Sequence, residues 1–245
     1  MDRNAFYYDN RGNVRCVLDP DNGLTYYTHD AVNRMTSVLS PWGEATYYEY
    51  TPDSQISKRI LGNGAVTYYD YDLAGRVSKV GNRKSDLSMI SSFEYERDCV
   101  GNPLSILRED GSATYYDYDR KYQLISETQV DYQSQVIYAW TWDYDKAGNR
   151  TVQTFNGVDT YYEYNAGNEL THETTGGATT YYQYDHRGNQ TVKQAPEGTT
   201  YFQYNHQNLL TRIDLPDTTS NEFGYDGDSK RVWVNDSQGA RRMIY

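Results

Sequence analysis

The usual material of a protein core is scarce in this chain. Leu, Ile, Val and Phe together fill only 41 of 245 positions. With a formal net charge of −11, that composition borders on the range in which chains stay disordered. No apolar run approaches the roughly 18 residues of a membrane-spanning helix, so membrane insertion is not expected. Basic residues form no stripe: "RKSD" near residue 83 and "RR" at 241–242 are too short to neutralise a phosphate backbone, which argues against a nucleic-acid partner. The polar start "MDRNAFYYD" lacks the apolar stretch of a signal peptide. Cys16 and Cys99 are the only cysteines and have no metal-ligand spacing, so two free thiols are expected rather than a disulfide. Gly-x-Ser-x-Gly, His-Glu-x-x-His and a phosphate loop are all missing. No enzymatic activity, cofactor or metal is expected.

Tyrosine is what the chain has instead. Its 28 copies supply large, flat, mostly apolar surface with a high preference for strands, and they argue for a folded chain. They are placed periodically. "FYYDNRGNV" at residue 6 recurs as "YTHDAVNRM" at 27, "YEYTPDSQI" at 48, "YDYDLAGRV" at 69, "YERDCVGNP" at 95 and "YDYDRKYQL" at 116. It continues as "WDYDKAGNR" at 142, "YEYNAGNEL" at 162, "YQYDHRGNQ" at 182, "FQYNHQNLL" at 202 and "FGYDGDSKR" at 223. The residue before the acid anchors each copy: Tyr8, His29, Tyr50, Tyr71, Arg97, Tyr118, Tyr144, Tyr164, Tyr184, Tyr204 and Tyr225, with Tyr245 in the same slot. Steps between anchors are about 20 residues, apart from two longer ones, and no domain boundary interrupts them. Residues 1–245 read as one array.

Each copy reads as two strands and two turns. In "TYYDYD", Thr67, Tyr69 and Tyr71 point to one face while Tyr68 and Asp70 point to the other. Asp72-Leu73-Ala74-Gly75 suits a type I turn, with the Asp side chain accepting bonds from the turn's own amides and Gly taking a left-handed conformation. Asp9/Gly12, Asp98/Gly101, Asp145/Gly148 and Asp185/Gly188 repeat that pairing, while Asp119 and Asp226 supply the acid alone. Tyr116, Tyr162, Tyr182 and Trp142 stand where Tyr69 does, two residues before the anchor. A second turn is marked by small pairs such as Asn63-Gly64, Asp110-Gly111, Asn156-Gly157 and Gly176-Gly177. Two reversals per copy give antiparallel hairpins in series, about 24 strands in all. The two long steps, "MISSFEYERDCVGN" (89–102) and "VIYAWTWDYDKAGN" (136–149), are expected to extend their incoming strands.

Open twisted sheets of more than about 10 strands tend to curl, so a strip this long is expected to bend around a space. Unpaired edges would otherwise invite edge-to-edge self-association. The paired acids Asp70/Asp72, Asp117/Asp119 and Asp143/Asp145 read as turn chemistry, because their i, i+2 spacing of about 7 Å is too wide for a tight ligand cage. His186 and His206 read as turn residues and His29 as a ring substitute. For the tyrosines two readings stand side by side. They are ladders that replace a core, or they are ligand-facing aromatics, most of all Tyr132, Tyr138, Trp140 and Trp142, that could stack on a glycan.

Aromatic-x-Tyr-Asp-x-x-Gly-Asn-Arg at this period resembles the tyrosine–aspartate (YD) repeat of the Rhs family. That family includes bacterial polymorphic and insecticidal toxin-complex shells, wall-associated proteins and teneurins. The resemblance covers essentially the whole chain. It implies an all-β fold of tandem hairpins in one long curled or spiralling sheet, a secreted or extracellular setting, and a non-catalytic shell that encloses a polypeptide such as a toxin domain. The partner would then be the rest of a longer chain or the enclosed polypeptide. The alternative is a carbohydrate- or cell-surface-binding aromatic module. The family's Pro-x-x-x-x-Asp-Pro-x-Gly-like stretch, the self-cleavage point of many members, has no counterpart here; the last proline is Pro216. Self-cleavage and a toxin segment are therefore not carried over.

Overall fold

A computed structural model describes residues 4–242. Tyr245, the twelfth anchor of the sequence reading, lies outside the described residues. Among the described residues the fold is all β, with 23 antiparallel strands assigned to one unclosed sheet. Chain contacts divide it into two compact units, the first comprising 1–117 with 128–137 and the second 118–127 with 138–245.

The first unit contains β1 (Ala5–Tyr8), β2 (Val14–Leu18), β3 (Leu24–His29), β4 (Met35–Leu39), β5 (Ala45–Tyr50), β6 (Ile56–Ile60), β7 (Val66–Tyr71), β8 (Val77–Arg83), β9 (Met89–Arg97), β10 (Pro103–Arg108) and most of β11 (Ala113–Tyr118). From β1 to β10 each pairs with the next in sequence, as β6 with β7 and β7 with β8. The division crosses β12 (Leu124–Val130) and β13 (Val136–Tyr144). The second unit continues through β14 (Arg150–Phe155), β15 (Val158–Tyr164), β16 (Leu170–Thr175), β17 (Ala178–Tyr184), β18 (Gln190–Ala195), β19 (Gly198–Tyr204), β20 (Leu210–Asp214), β21 (Ser220–Tyr225), β22 (Arg231–Asp236) and β23 (Gly239–Arg242). β9 and β13, at nine residues each, are the longest strands and fall on the two long steps of the repeat.

Alternation within the strands is what the sequence pattern requires. In β7, Tyr69 and Tyr71 are half-buried while Tyr68 and Asp70 are exposed, and β5, β11, β17 and β19 repeat this. Beneath this pattern there is almost no conventional core. Among the described residues the buried apolar set is Cys16, Val66, Ala113, Tyr162 and Val234. The chain exposes 16264 Å², against about 11,000 Å² from the usual surface scaling for a globular protein of its mass. Stability must therefore come from ladder bonds and cross-strand pairs rather than from a filled interior.

The turns are of two kinds, which the sequence reading did not separate. At Asn156-Gly157 and Gly176-Gly177 both residues have positive φ and join strands through a two-residue loop. Asn63-Gly64 and Asp110-Gly111 instead close like the Asp turns, with Gly64 N–H donating to the Leu61 carbonyl and Gly111 N–H to that of Arg108. One left-handed residue then suffices for the bulge.

Candidate functional site

The repeated features converge on three structures: the acid turn, the anchor tyrosine and the aromatic hairpin. In the acid turn, Gly75 N–H donates to the Asp72 carbonyl at 2.9 Å, and Asp72 N–H to the Arg76 carbonyl at 2.9 Å. Asp72 Oδ1 accepts the backbone N–H groups of Ala74 and Arg76, each at 2.9 Å, and its Oδ2 accepts Arg76 Nε at 2.7 Å. These donors hold its carboxyl below the usual range, the Arg76 backbone N–H contributing most. Asp9, Asp145 and Asp185 are lowered in the same way, chiefly by the side-chain amides of Asn13, Asn149 and Asn189. Asn165 and Asn205 make the same pair of backbone contacts without a charge. Asp98, Asp119 and Asp226 cap their turns likewise. In each of these turns Oδ1 accepts backbone amides, and in Asp9, Asp72, Asp98, Asp145 and Asp185 Oδ2 accepts the side chain four residues on, so the acid works as a turn cap.

The motif glycines Gly12, Gly101, Gly148 and Gly188 occupy the slot of Gly75, and all four have positive φ. Their N–H groups donate to the carbonyls of Asp9, Asp98, Asp145 and Asp185 at 3.1, 3.2, 3.2 and 3.0 Å. Gly12, Gly148 and Gly188 are exposed and Gly101 is half-buried. Their part is to reverse the backbone.

The residue after the turn's left-handed position does something the sequence reading missed. It reaches across to the next repeat's turn. Asn13 Nδ2 donates to Asn33 Oδ1 at 2.9 Å, and Arg34 Nη1 to the Thr51 carbonyl at 3.1 Å. Gln55 Nε2 donates to the Gly75 carbonyl at 2.7 Å, and Arg76 Nη1 to the Asp98 carbonyl at 3.2 Å. Asn149 and Asn189 bridge to Asn168 and Asn208 in the second unit. The recurring Asn or Arg of "GN" and "GR" was the available signal.

The anchor tyrosines cross the sheet in the opposite direction. Tyr50 hydroxyl donates to the Met35 carbonyl at 2.6 Å, Tyr71 to Ile56 at 2.7 Å, Tyr144 to Leu124 at 2.8 Å and Tyr225 to Leu210 at 2.8 Å. Each acceptor sits at or beside the start of a preceding strand, so each ring and its hydroxyl tie a hairpin to its predecessor. Burial raises the phenols of Tyr50, Tyr71 and Tyr144 above their ordinary range, and likewise those of Tyr164, Tyr184 and Tyr204. Tyr8 differs: on β1 it is 59% exposed. Guanidinium groups reinforce the rows, with Arg34 over the Tyr50 ring at 4.6 Å and Arg150 over Tyr162 at 4.4 Å.

The aromatic hairpin places Tyr138, Trp140, Trp142 and Tyr144 on the half-buried face of β13. Trp140 stacks on Phe155 with ring centres 4.2 Å apart and lies nearly parallel to Trp142 at 6.0 Å. Trp142 Nε1 donates to Gln153 Oε1 at 3.3 Å, and Tyr138 hydroxyl to Glu127 Oε1 at 2.7 Å. Tyr182 hydroxyl similarly donates to Glu173 Oε1, and burial followed by this carboxylate pushes its phenol up. Tyr132, in the β12–β13 turn, is exposed. Tyr116 and Tyr118 lie on the same half-buried face of β11. His186 and His206 are exposed turn residues, and His29 is half-buried in its anchor slot. His172 instead faces Glu163 at 3.4 Å. Cys16 is buried, Cys99 is exposed, and both are free thiols.

No family model matches the chain, and no curated protein matches it. Solved structures do. A Tc holotoxin pore from Photorhabdus luminescens, with a substituted TccC3, superposes with a TM-score of 0.61 at 18% identity, over 99% of this chain and 14% of that one. A TcdB2–TccC3 crystal structure gives 0.55 at 12% identity, over 99% of this chain and 20% of that one. TcdB2–TccC3–Cdc42 gives 0.56 at 13%, over 98% and 20%. At these identities the likeness is one of fold: the chain has the hairpin-repeat fold of YD-repeat shells, and it spans no more than a fifth of the length of these structures' chains.

Proposed function

We propose that this chain is a non-catalytic wall element of a YD-type shell whose task is to enclose a polypeptide, within a longer exported protein. The observation that carries the reading is the superposition on Tc-toxin structures over 96–99% of the chain. Local chemistry agrees with it. The repeated acids serve as turn caps, the anchor hydroxyls donate to backbone carbonyls, and the two tryptophans are engaged with Phe155 and Gln153. A sheet with solvent-rich faces and few buried apolar residues suits a wall better than a compact domain. Two of the matching structures join TccC3 with TcdB2 and, in one, with Cdc42, which favours a polypeptide as the partner. The 245 residues act in this reading as a single array.

Electron microscopy of the full gene product that carries this segment tests the proposal. A hollow particle with these hairpins in its wall, and an interior polypeptide that resists trypsin until the particle is denatured, is the expected outcome. A solid particle, or an interior segment cleaved at the rate of free peptide, would refute it.

A further inference from the structure

Two local costs meet at one point of the first unit. The first is Gly81, in the interior of β8, where glycine weakens a strand. Gly81 is itself buried among longer side chains, yet its φ is not in the left-handed range and a Cβ added there would meet nothing within 4 Å, so neither the backbone nor a contact at the Cβ position requires glycine. The slot it occupies lies opposite Tyr68. In sister repeats the residue opposite the corresponding tyrosine has a side chain: Leu39 for Tyr26, Ile60 for Tyr47, Thr174 for Tyr161 and Gln194 for Tyr181. The second cost is Leu87, in the β8–β9 turn, at φ 67 and 55% exposed. Most turns of the chain put Gly, Asn or Ser at that left-handed position, where a bulky side chain is strained.

Both residues line one open recess of about 480 Å³, lined also by Tyr68, Asp70, Lys79, Arg83 and Met89. Sequences depart from local rules at functional sites more than elsewhere. We infer that this recess is a binding site for a polypeptide segment in which an aromatic side chain stands next to a carboxylate. The ring enters over Gly81, between Tyr68 and the apolar walls of Met89 and Leu87. The carboxylate meets Arg83, whose Nη1 is fixed at the rim by the Leu87 carbonyl at 2.9 Å. Lys79 is ion-paired with Glu94 and Asp70 is acidic, so Arg83 is the cation best placed for an incoming anion. The inference rests on local features of one unit and stands apart from the shell reading.

Blocked dipeptides test it on the chain as it is, by 15N–1H NMR titration. N-acetyl-Trp-Glu-amide is expected to shift the amides of residues 79–89, while N-acetyl-Ala-Glu-amide does not. N-acetyl-Trp-Gln-amide should bind several-fold more weakly, and Arg83→Gln should erase the difference between the two tryptophan peptides. Gly81→Val puts its Cβ into open space and narrows the recess, and Leu87→Asn relieves the turn, so each should raise the melting temperature while weakening binding by about tenfold or more. Undiminished binding to Gly81→Val would overturn the proposal. So would a lower melting temperature for both variants, since glycine and leucine would then be there for stability. Equal binding of the Glu and Gln peptides would remove Arg83 from the site.

Discussion

Tyr71→Phe removes one oxygen and nothing else. The lost interaction is the 2.7 Å bond from the hydroxyl to the Ile56 carbonyl, which joins β7 to the start of β6. A neutral hydrogen bond of this kind contributes about 1 kcal/mol net, and stranding a half-buried carbonyl can raise the cost to about 2 kcal/mol. Tyr50→Phe removes the equivalent bond to Met35 one repeat earlier. The two anchors are two strands apart, about 10 Å, near the distance at which effects add, so the double variant should cost about 2–4 kcal/mol. Against a typical total stability of about 5–15 kcal/mol this is large. Urea unfolding followed by circular dichroism should show the midpoint fall with each substitution, by roughly 0.5 M for a single one if the slope is about 2 kcal/mol/M. Repeat arrays can lose all-or-none behaviour, so hydrogen exchange at the β6 and β7 amides should accelerate in parallel. Tyr68→Phe, on the exposed face of the same strand, is the control and should change little. If Tyr71→Phe and Tyr68→Phe unfold at the same urea concentration, the anchor hydroxyls are not staples and the reasoning fails.

Three further outcomes follow from the turns. Asp72→Asn keeps an acceptor for the Ala74 and Arg76 amides, as Asn165 and Asn205 do, but turns an amide NH2 toward Arg76 Nε, so it should lower the melting temperature slightly, and Asp72→Ala, which loses every one of these bonds, should lower it more. Asp9, Asp30, Asp72, Asp145 and Asp185 have folded-state pKa values below the ordinary 3.8. A depressed carboxyl stabilises above its unfolded pKa and ceases to as pH falls through its folded one, so melting temperature should be level from pH 8 to about 5 and drop below about pH 4. Calorimetry that finds no acid-side drop would contradict the shared cap. Gly75→Ala forces a side chain into φ 77 and should destabilise by about 1–2 kcal/mol, while Gly81→Ala should not destabilise.

Hairpin order was legible in the letters because the chain restates it at every repeat. Tyr-x-Tyr-Asp sets which face each side chain takes, and Asp72 with Gly75 sets where the chain reverses. The same period located the long strands β9 and β13 from the letters alone. Alternation has a period of two and turn residues act on their own backbone, so both are local and a sequence displays them directly. Other features depend on residues that meet only through the sheet. The reach of Gln55 to the Gly75 carbonyl, the bond from the Tyr71 hydroxyl to Ile56 and the stack of Trp140 on Phe155 all need cross-strand register. Even the glycines divide this way. Gly75 explains itself by its place in the turn, but Gly81 becomes informative only when Tyr68 is seen opposite it with space above. Register and the room over a strand are properties of neighbouring chain segments, and only the tertiary structure supplies them.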